Sequence, residues 1–235
     1  MNSIALALSL LLAAPQSSTQ DVTEGARTGS RLDPATRVTT NADTSQRDGA
    51  MLRFIECAVT RREAKVRELI DTRSEAAYQR GLDALSGVQR CSVSGYVSND
   101  ASVISFGTER GTLRGFIAEA FVKKGRQQVQ ALAPLAMQRT YARDWYAMTG
   151  RARPIDEMAT CVADINPGGI LALLKTEIGS KEEKAAVAGL GPSLGQCLAV
   201  GYKLNANRLG LRTALAEGLY HRTFDAPPVA DGGTR

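Results

Sequence analysis

Two glutamates stand at matching places in two similar stretches of this sequence, LRGFIAEAF at 113–121 and LRTALAEGL at 211–219. A glutamate whose pKa is raised by burial can act as a general acid, as in enzymes that cleave glycosidic bonds. Glu119 and Glu217 are therefore the residues to which a carbohydrate hydrolase activity would be assigned. An arginine precedes each of them, and a repeated arginine with a repeated glutamate is better suited to structural ion pairs than to catalysis.

Residues for other kinds of catalysis are scarce. There is one histidine, His221, and its counterpart in the other stretch is Lys123, which predicts a solvated basic position. A serine or cysteine nucleophile requires a base and an orienting group, and no Gly-x-Ser-x-Gly motif is present. The glycines in NPGGI (166–170) and GLGPSLG (189–195) lack the Lys-Ser/Thr ending of a phosphate-binding loop. We expect no catalytic motif, no cofactor and no metal.

Four cysteines divide into two pairs, with spacings that do not match a zinc site. In an exported chain they predict two disulfides. The pairing Cys57–Cys91 with Cys161–Cys197 places one bridge in each half of the chain. The pairing Cys57–Cys161 with Cys91–Cys197 is the alternative that also respects the repeat.

The two halves of the chain match over most of their length, which predicts an internal duplication, about 54–124 and 158–222. Aligning the first cysteine of each half also aligns the second, with a gap of two residues. The matched positions of the repeat are Tyr96, Arg110, Arg114 and Glu119 in the first copy and Tyr202, Arg208, Arg212 and Glu217 in the second. With short flanks, the predicted units are 50–124 and 154–223.

Apolar residues recur at helical spacing in both copies, so we predict an all-α fold of two tandem, disulfide-stapled helical units. Helix starts are indicated by Asn166 before Pro167 and by the capping boxes Thr60–Glu63 and Ser180–Glu183. The connector 125–153 is predicted to be helical and broken near Pro134, with Tyr141 and Trp145 one turn apart.

Both ends of the chain differ in composition from its middle. Residues 1–14 carry an apolar run, Ile4 to Leu12, followed by two alanines, which is typical of a secretory signal peptide. Residues 15–49 and 224–235 hold few large apolar side chains, so we predict a disordered leader and a disordered tail. No stretch of the mature chain is long and apolar enough to span a membrane.

The charges are mixed, with 29 Lys and Arg against 24 Asp and Glu. The signs alternate along the chain instead of forming the one-signed stripe typical of nucleic-acid binding, so we expect no nucleic-acid partner. Weak attraction to anionic polymers of a cell envelope remains compatible with the excess of positive charge.

The order Cys, Cys, Gly-Tyr and Leu-Arg-x-x-x-Ala-Glu resembles that of uncharacterised exported two-repeat helical proteins of Gram-negative bacteria, over about 50–223. The resemblance implies export to the periplasm or secretion. It implies no activity, because none is known for that group.

The first copy has eight extra residues within 97–109, where Val97 and Val103 flank the turn-prone pair Asn99-Asp100. This insertion predicts a small β-hairpin and a candidate binding loop, with Tyr141 and Trp145 as the next candidate surface.

The function predicted from the sequence is a non-catalytic binding or structural protein of the periplasm or exterior, whose partner is an unknown envelope protein or polymer. An envelope carbohydrate hydrolase using Glu119 or Glu217 is one alternative. A soluble carrier that holds an apolar ligand between the repeats is another.

Overall fold

The computed structural model describes residues 41–86, 88, 91, 109–204 and 207–225. Those residues form nine α-helices and one 3-10 helix and contain no strand, which confirms the all-α class. The helices are α1 (Asn41–Asp71), α2 (Glu75–Ser86), α3 (Arg110–Lys124), α4 (Arg126–Gln130), the 3-10 helix (Asp144–Met148), α5 (Arg153–Ile165), α6 (Pro167–Leu174), α7 (Lys181–Gly189), α8 (Gly191–Cys197) and α9 (Arg208–Phe224). The predicted signal peptide, most of the leader, Tyr96, the predicted hairpin with Val97, Asn99, Asp100 and Val103, and residues 226–235 lie outside the described residues.

Helices α3 and α9 pack against each other at the centre of the fold, and α1 and α5 cover them. The sequence predicted one buried face for each central helix, but the structure buries every residue of α3 from Leu113 to Val122. At the contact, a Cβ built on Gly115 would lie 2.2 Å from the Cβ of Thr213. The two backbones can approach this closely only because Gly115 has no side chain. No space for an apolar ligand remains at this contact.

The helix breaks fall at matching places in the two halves. Arg62 interrupts α1 with φ −137° and ψ 41°. Asn166, between α5 and α6, has φ −146° and ψ 60°. Cys57 and Cys161 lie 104 positions apart, and so do these two residues.

Two of the three predicted helix starts are formed. The side chain of Asn166 caps α6 by accepting from Gly169 N at 2.9 Å. The hydroxyl of Ser180 caps α7 by accepting from Glu183 N at 3.0 Å. The capping box at Thr60 is not formed, because α1 continues through this position and the hydroxyl donates to Glu56 O instead.

Helix α1 begins at Asn41, inside the segment predicted as leader. Tertiary packing accounts for the earlier start. Ala50 is buried. Ser45 packs against Gly179, and a Cβ built on Gly179 would lie 2.4 Å from the hydroxyl oxygen of Ser45. Gly179 has a φ of +82°, which favours glycine at this turn before α7.

The connector is not the broken helix that the sequence predicted. Residues 131–143 form no regular helix, so Tyr141 and Trp145 do not share a helical face. Tertiary hydrogen bonds hold this segment in place of helical ones: Leu135 N donates to Asp164 O at 2.7 Å, and Arg222 donates to Ala133 O. Pro134 has no N–H and so cannot take part in a helical ladder.

Two disulfides join Cys57 to Cys91 and Cys161 to Cys197, with Cα–Cα distances of 5.7 and 5.6 Å. This confirms the pairing with one bridge in each half and excludes the pairing across the halves. The first bridge ties α1 to the chain after α2, and the second ties α5 to α8.

Within the described ranges, no helix has both the length and the apolarity needed to cross a membrane.

Each disulfide should contribute substantially to stability. Closing a loop of this length is worth about 3–4 kcal/mol on the chain-entropy model. We expect replacement of Cys161 and Cys197 by serine to lower the melting temperature by about 10 °C, measured by circular dichroism. The matched double replacement at Cys57 and Cys91 should do the same. An unchanged melting temperature in both variants would contradict this expectation.

Candidate functional site

Glu217 lies in α9, is completely buried, and accepts hydrogen bonds from two arginines. Arg114, in α3, donates from Nε to Glu217 Oε1 at 2.7 Å. Arg151, just before α5, donates to the other carboxylate oxygen. Both oxygens of this carboxylate are therefore bound to cations.

Glu119 lies in α3 and has the reciprocal arrangement. It is completely buried, and Arg212 of α9 binds both of its oxygens, at 2.8 and 2.7 Å. Lys123 provides the second cation, 2.9 Å from Glu119 Oε1. Each central helix thus gives an arginine to the other helix and receives one from it.

The same two arginines also bind the carboxyl ends of helices. Arg114 donates to Leu69 O at 3.0 Å and Ile70 O at 2.8 Å, near the end of α1. Arg212 donates to Leu174 O at 3.3 Å and Thr176 O at 2.9 Å, at the end of α6. The carbonyls of Leu69, Ile70 and Leu174 lie in last helical turns, where the helix itself provides no partner, so the arginines satisfy groups that would otherwise be left without a hydrogen bond.

Further charged residues complete the network. The sequence did not single out Arg151 or Asp156, and it identified Glu183 only as part of a capping box. Arg151 donates to Asp156 Oδ1 at 2.8 Å, and Thr149 donates to the other oxygen at 2.7 Å. Arg212 also donates to Glu183 at 3.0 Å. Nothing in the sequence identified Arg151 as part of this network, because it lies in the connector, outside the predicted repeat. Asp156 stands 104 positions after Leu52, so a charged residue in place of an apolar one in the predicted repeat was the signal for it.

Electrostatics keep Glu217 ionised. Burial alone would raise its pKa, but the guanidinium groups of Arg151 and Arg114 outweigh burial and hold the pKa well below the usual range. In the other buried pair, burial would lower the pKa of Arg212, but the hydrogen bonds of Arg212 to Glu119 and Glu183 raise this pKa. A general acid must hold a proton near neutral pH. Glu217 is held in the opposite state.

His221 is not the solvated position that the sequence predicted. Its side chain is only 4% exposed, because the connector covers it. The imidazole stacks on the indole of Trp145, with ring centroids 4.4 Å apart and planes 16° from parallel. Its Nδ1 lies 3.0 Å from a carboxylate oxygen of Asp225.

Tyr141 and Trp145, which the sequence named as a candidate binding surface, are buried, and Tyr146, which follows Trp145 in the connector, is half-buried. Trp145 and Tyr141 are 2% and 6% exposed. The hydroxyl of Tyr146 donates to Thr160 at 2.8 Å, and burial raises the pKa of this tyrosine to about 12. These side chains fasten the connector to α5 and α9.

An open cleft of about 530 Å³ lies between the first half of α1, Lys123 and the turn after α6. We call it the α1 cleft. It carries both charged and apolar side chains; the lining residues are Ser45, Gln46, Gly49, Leu52, Arg53, Glu56, Lys123, Lys175, Thr176, Glu177 and Ile178.

The remaining repeat residues lie at the surface. Arg110 pairs with Glu75 at 2.7 Å, and Arg208 lies 3.9 Å from Glu183. Tyr202 is 36% exposed. Among the described residues, no group of His, Cys, Asp and Glu side chains has the arrangement of a metal site.

No described protein family, curated protein or solved structure matches this chain.

The buried pairs can be tested by removing one charge at a time. Glu217→Gln and Glu119→Gln each leave a buried arginine with a missing partner, which costs about 3–5 kcal/mol. Urea unfolding should show this loss for both variants. Glu157→Gln, which breaks the exposed pair with Arg153, is the matched control and should cost less than about 1 kcal/mol. Equal effects of all three would argue against a structural role for the buried pairs.

Stability should also depend on the ionisation of Glu217. Because its pKa is lower in the fold than in the unfolded chain, its charge stabilises the fold above about pH 4.3, the usual glutamate value. That contribution is lost as the pH falls through the lowered value. Between about pH 5 and about pH 3, the free energy of unfolding should therefore fall more steeply in the wild type than in Glu217→Gln. Parallel slopes in urea titrations would contradict the assignment.

Proposed function

We propose that this chain is an exported, non-catalytic binding protein of a bacterial envelope, built from two copies of one helical unit. The observation that carries the proposal is the burial of Glu119 and Glu217 in ion pairs that join the two halves. The only two residues that the sequence nominated for catalysis hold the fold together instead.

The reciprocal ion pairs support an internal duplication. Arg114 and Glu119 lie 98 positions before Arg212 and Glu217, and each arginine binds the glutamate of the other half. In a twofold interface between two copies of one unit, residue i of the first copy contacts residue j of the second, and residue j of the first contacts residue i of the second. The two arginine–glutamate pairs have this pattern. The matched helix breaks at Arg62 and Asn166 support the same conclusion.

Export is supported by the two disulfides, because such bridges form and persist in oxidising compartments. The apolar run from Ile4 to Leu12 is consistent with a signal that directs the chain there. The periplasm is the compartment we propose, with an envelope protein or polymer as partner.

Neither alternative function gains support from the geometry. A hydrolase using Glu217 would require a protonated and reachable carboxyl, whereas this one is buried and paired with two arginines. A carrier with an apolar ligand between the copies would require space where Gly115 meets Thr213.

Cell fractionation tests the proposal. The mature protein is expected in the periplasm, with an N-terminus near residue 15–20. N-terminal sequencing and mass spectrometry of the purified protein measure this directly. A chain that stays in the cytoplasm with Met1 intact would refute export.

A further inference from the structure

We propose that the α1 cleft binds an aromatic side chain and an adjacent carboxylate on a peptide segment of a partner protein. This inference rests on the proposed binding function and on the internal duplication. In the second half, aromatic side chains of the chain itself cover much of the corresponding face, and they indicate what can bind there.

The cleft has a defined counterpart in the second half. Positions in α1 match positions 104 residues later in α5, and positions in α3 match positions 98 residues later in α9. Five residues of the cleft therefore have counterparts: Gly49 matches Arg153, Leu52 matches Asp156, Arg53 matches Glu157, Glu56 matches Thr160 and Lys123 matches His221.

The chain's own 3-10 helix and the residue after it cover three of these five counterparts, Asp156, Thr160 and His221. The indole of Trp145 stacks on His221, the hydroxyl of Tyr146 bonds to Thr160, and Thr149 at the end of this helix bonds to Asp156. The counterpart of the cleft is thus a site for two aromatic rings on a short helical segment.

The corresponding face of the first half is open. The side chains of Lys123 and Glu56 are 33% and 36% exposed, against 4% for His221. Thr160, the counterpart of Glu56, is 6% exposed. In the part of the chain that the structure describes, no aromatic residue lines the cleft.

The residues that differ between the two faces indicate the chemistry of the occupant. Leu52 replaces Asp156, which makes the floor more apolar and suits a ring. Lys123 replaces His221 and places a cation where the indole stacks, and a cation over an aromatic face is attractive. Lys123 and Glu56 pair with each other at 2.9 Å, which leaves Arg53 and Lys175 against Glu177 among the charged lining residues, so a carboxylate on the occupant is favoured.

The leader is not the occupant that this chemistry selects. Residues 15–40 contain no Phe, Trp or Tyr and so cannot supply a ring. We assign the occupant to another protein, and occupation by the chain's own insertion, which carries Phe106 and follows Tyr96, is an outcome of the test below.

A short peptide provides the probe. The capped, fluorescein-labelled pentapeptide Asp-Trp-Tyr-Ala-Met repeats residues 144–148, the segment that covers the counterpart site. Fluorescence anisotropy with the full chain should give saturable binding with a Kd on the order of 100 µM, as expected for a small ligand on an open cleft. The same peptide with alanine in place of tryptophan should bind at least about tenfold more weakly.

Two protein variants test the location. Gly49→Phe places a ring inside the cleft and should weaken binding at least about tenfold. Gly189→Phe is the matched control, because it also adds a ring to a helical glycine with open space around it, and Gly189 does not line the cleft. Arg53→Glu should weaken binding of the Asp peptide more than binding of its Asn version. Melting temperatures of all variants check that each one folds.

Three results would overturn the inference. They are no saturable binding at millimolar peptide, binding that Gly49→Phe leaves unchanged, and binding that appears only after deletion of residues 98–105. The last result would assign the cleft to the chain's own insertion. None of them bears on export, which fractionation tests separately, so failure of the inference is distinguishable from failure of the proposed function.

Discussion

Two arginines and two glutamates are buried where α3 crosses α9, and the rest of the fold is arranged around this constraint. Removing four charges from water is expensive unless each finds partners in the interior. The two helices therefore lie close enough for Arg114 to reach Glu217 and for Arg212 to reach Glu119. Gly115 allows that approach. The remaining donors of the arginines are directed to the ends of α1 and α6, which fixes where those helices stop.

Each glutamate binds a second cation, and here the two halves differ. Lys123, one turn along the same helix, serves Glu119. Arg151, from the connector, serves Glu217. Because Arg151 must reach the interior, the connector is drawn onto the second half, where Thr149, Tyr146 and Trp145 cover α5 and α9. The first half needs no such cover, since Lys123 reaches Glu119 from its own helix. The α1 cleft lies on the face of the first half that corresponds to the covered one.

The same constraint bears on function. The carboxylate of Glu217, buried between two arginines, has a lowered pKa and no contact with solvent, so its charge serves the fold. The surface that distinguishes one half from the other is the more informative place to seek an interaction. In this protein that surface contains an apolar floor, a central lysine and a rim with excess positive charge.

Local patterns in the sequence determined the helical class, the presence of two disulfides, and the helix starts at Asn166 and Ser180, while the structure chose between the two symmetric cysteine pairings. These features depend on short-range periodicity, on capping chemistry and on the symmetry of the cysteine spacing, all of which are present in the residue order. Repetition also identified Arg114, Glu119, Arg212 and Glu217 as a structural set.

Only the tertiary structure decided the features that depend on contacts between distant segments. The sequence predicted a solvated His221 and a helical connector, because Lys123 is the counterpart of the histidine and the connector composition is compatible with helix. The structure buries His221 under Trp145. It leaves residues 131–143 without helix, because tertiary hydrogen bonds at Ala133 and Leu135 replace helical ones. Local propensity depends only on neighbouring residues and does not identify distant partners. The α1 cleft, the 3-10 helix packed on α5 and α9, and the two arginine–glutamate pairs between α3 and α9 therefore required the tertiary structure.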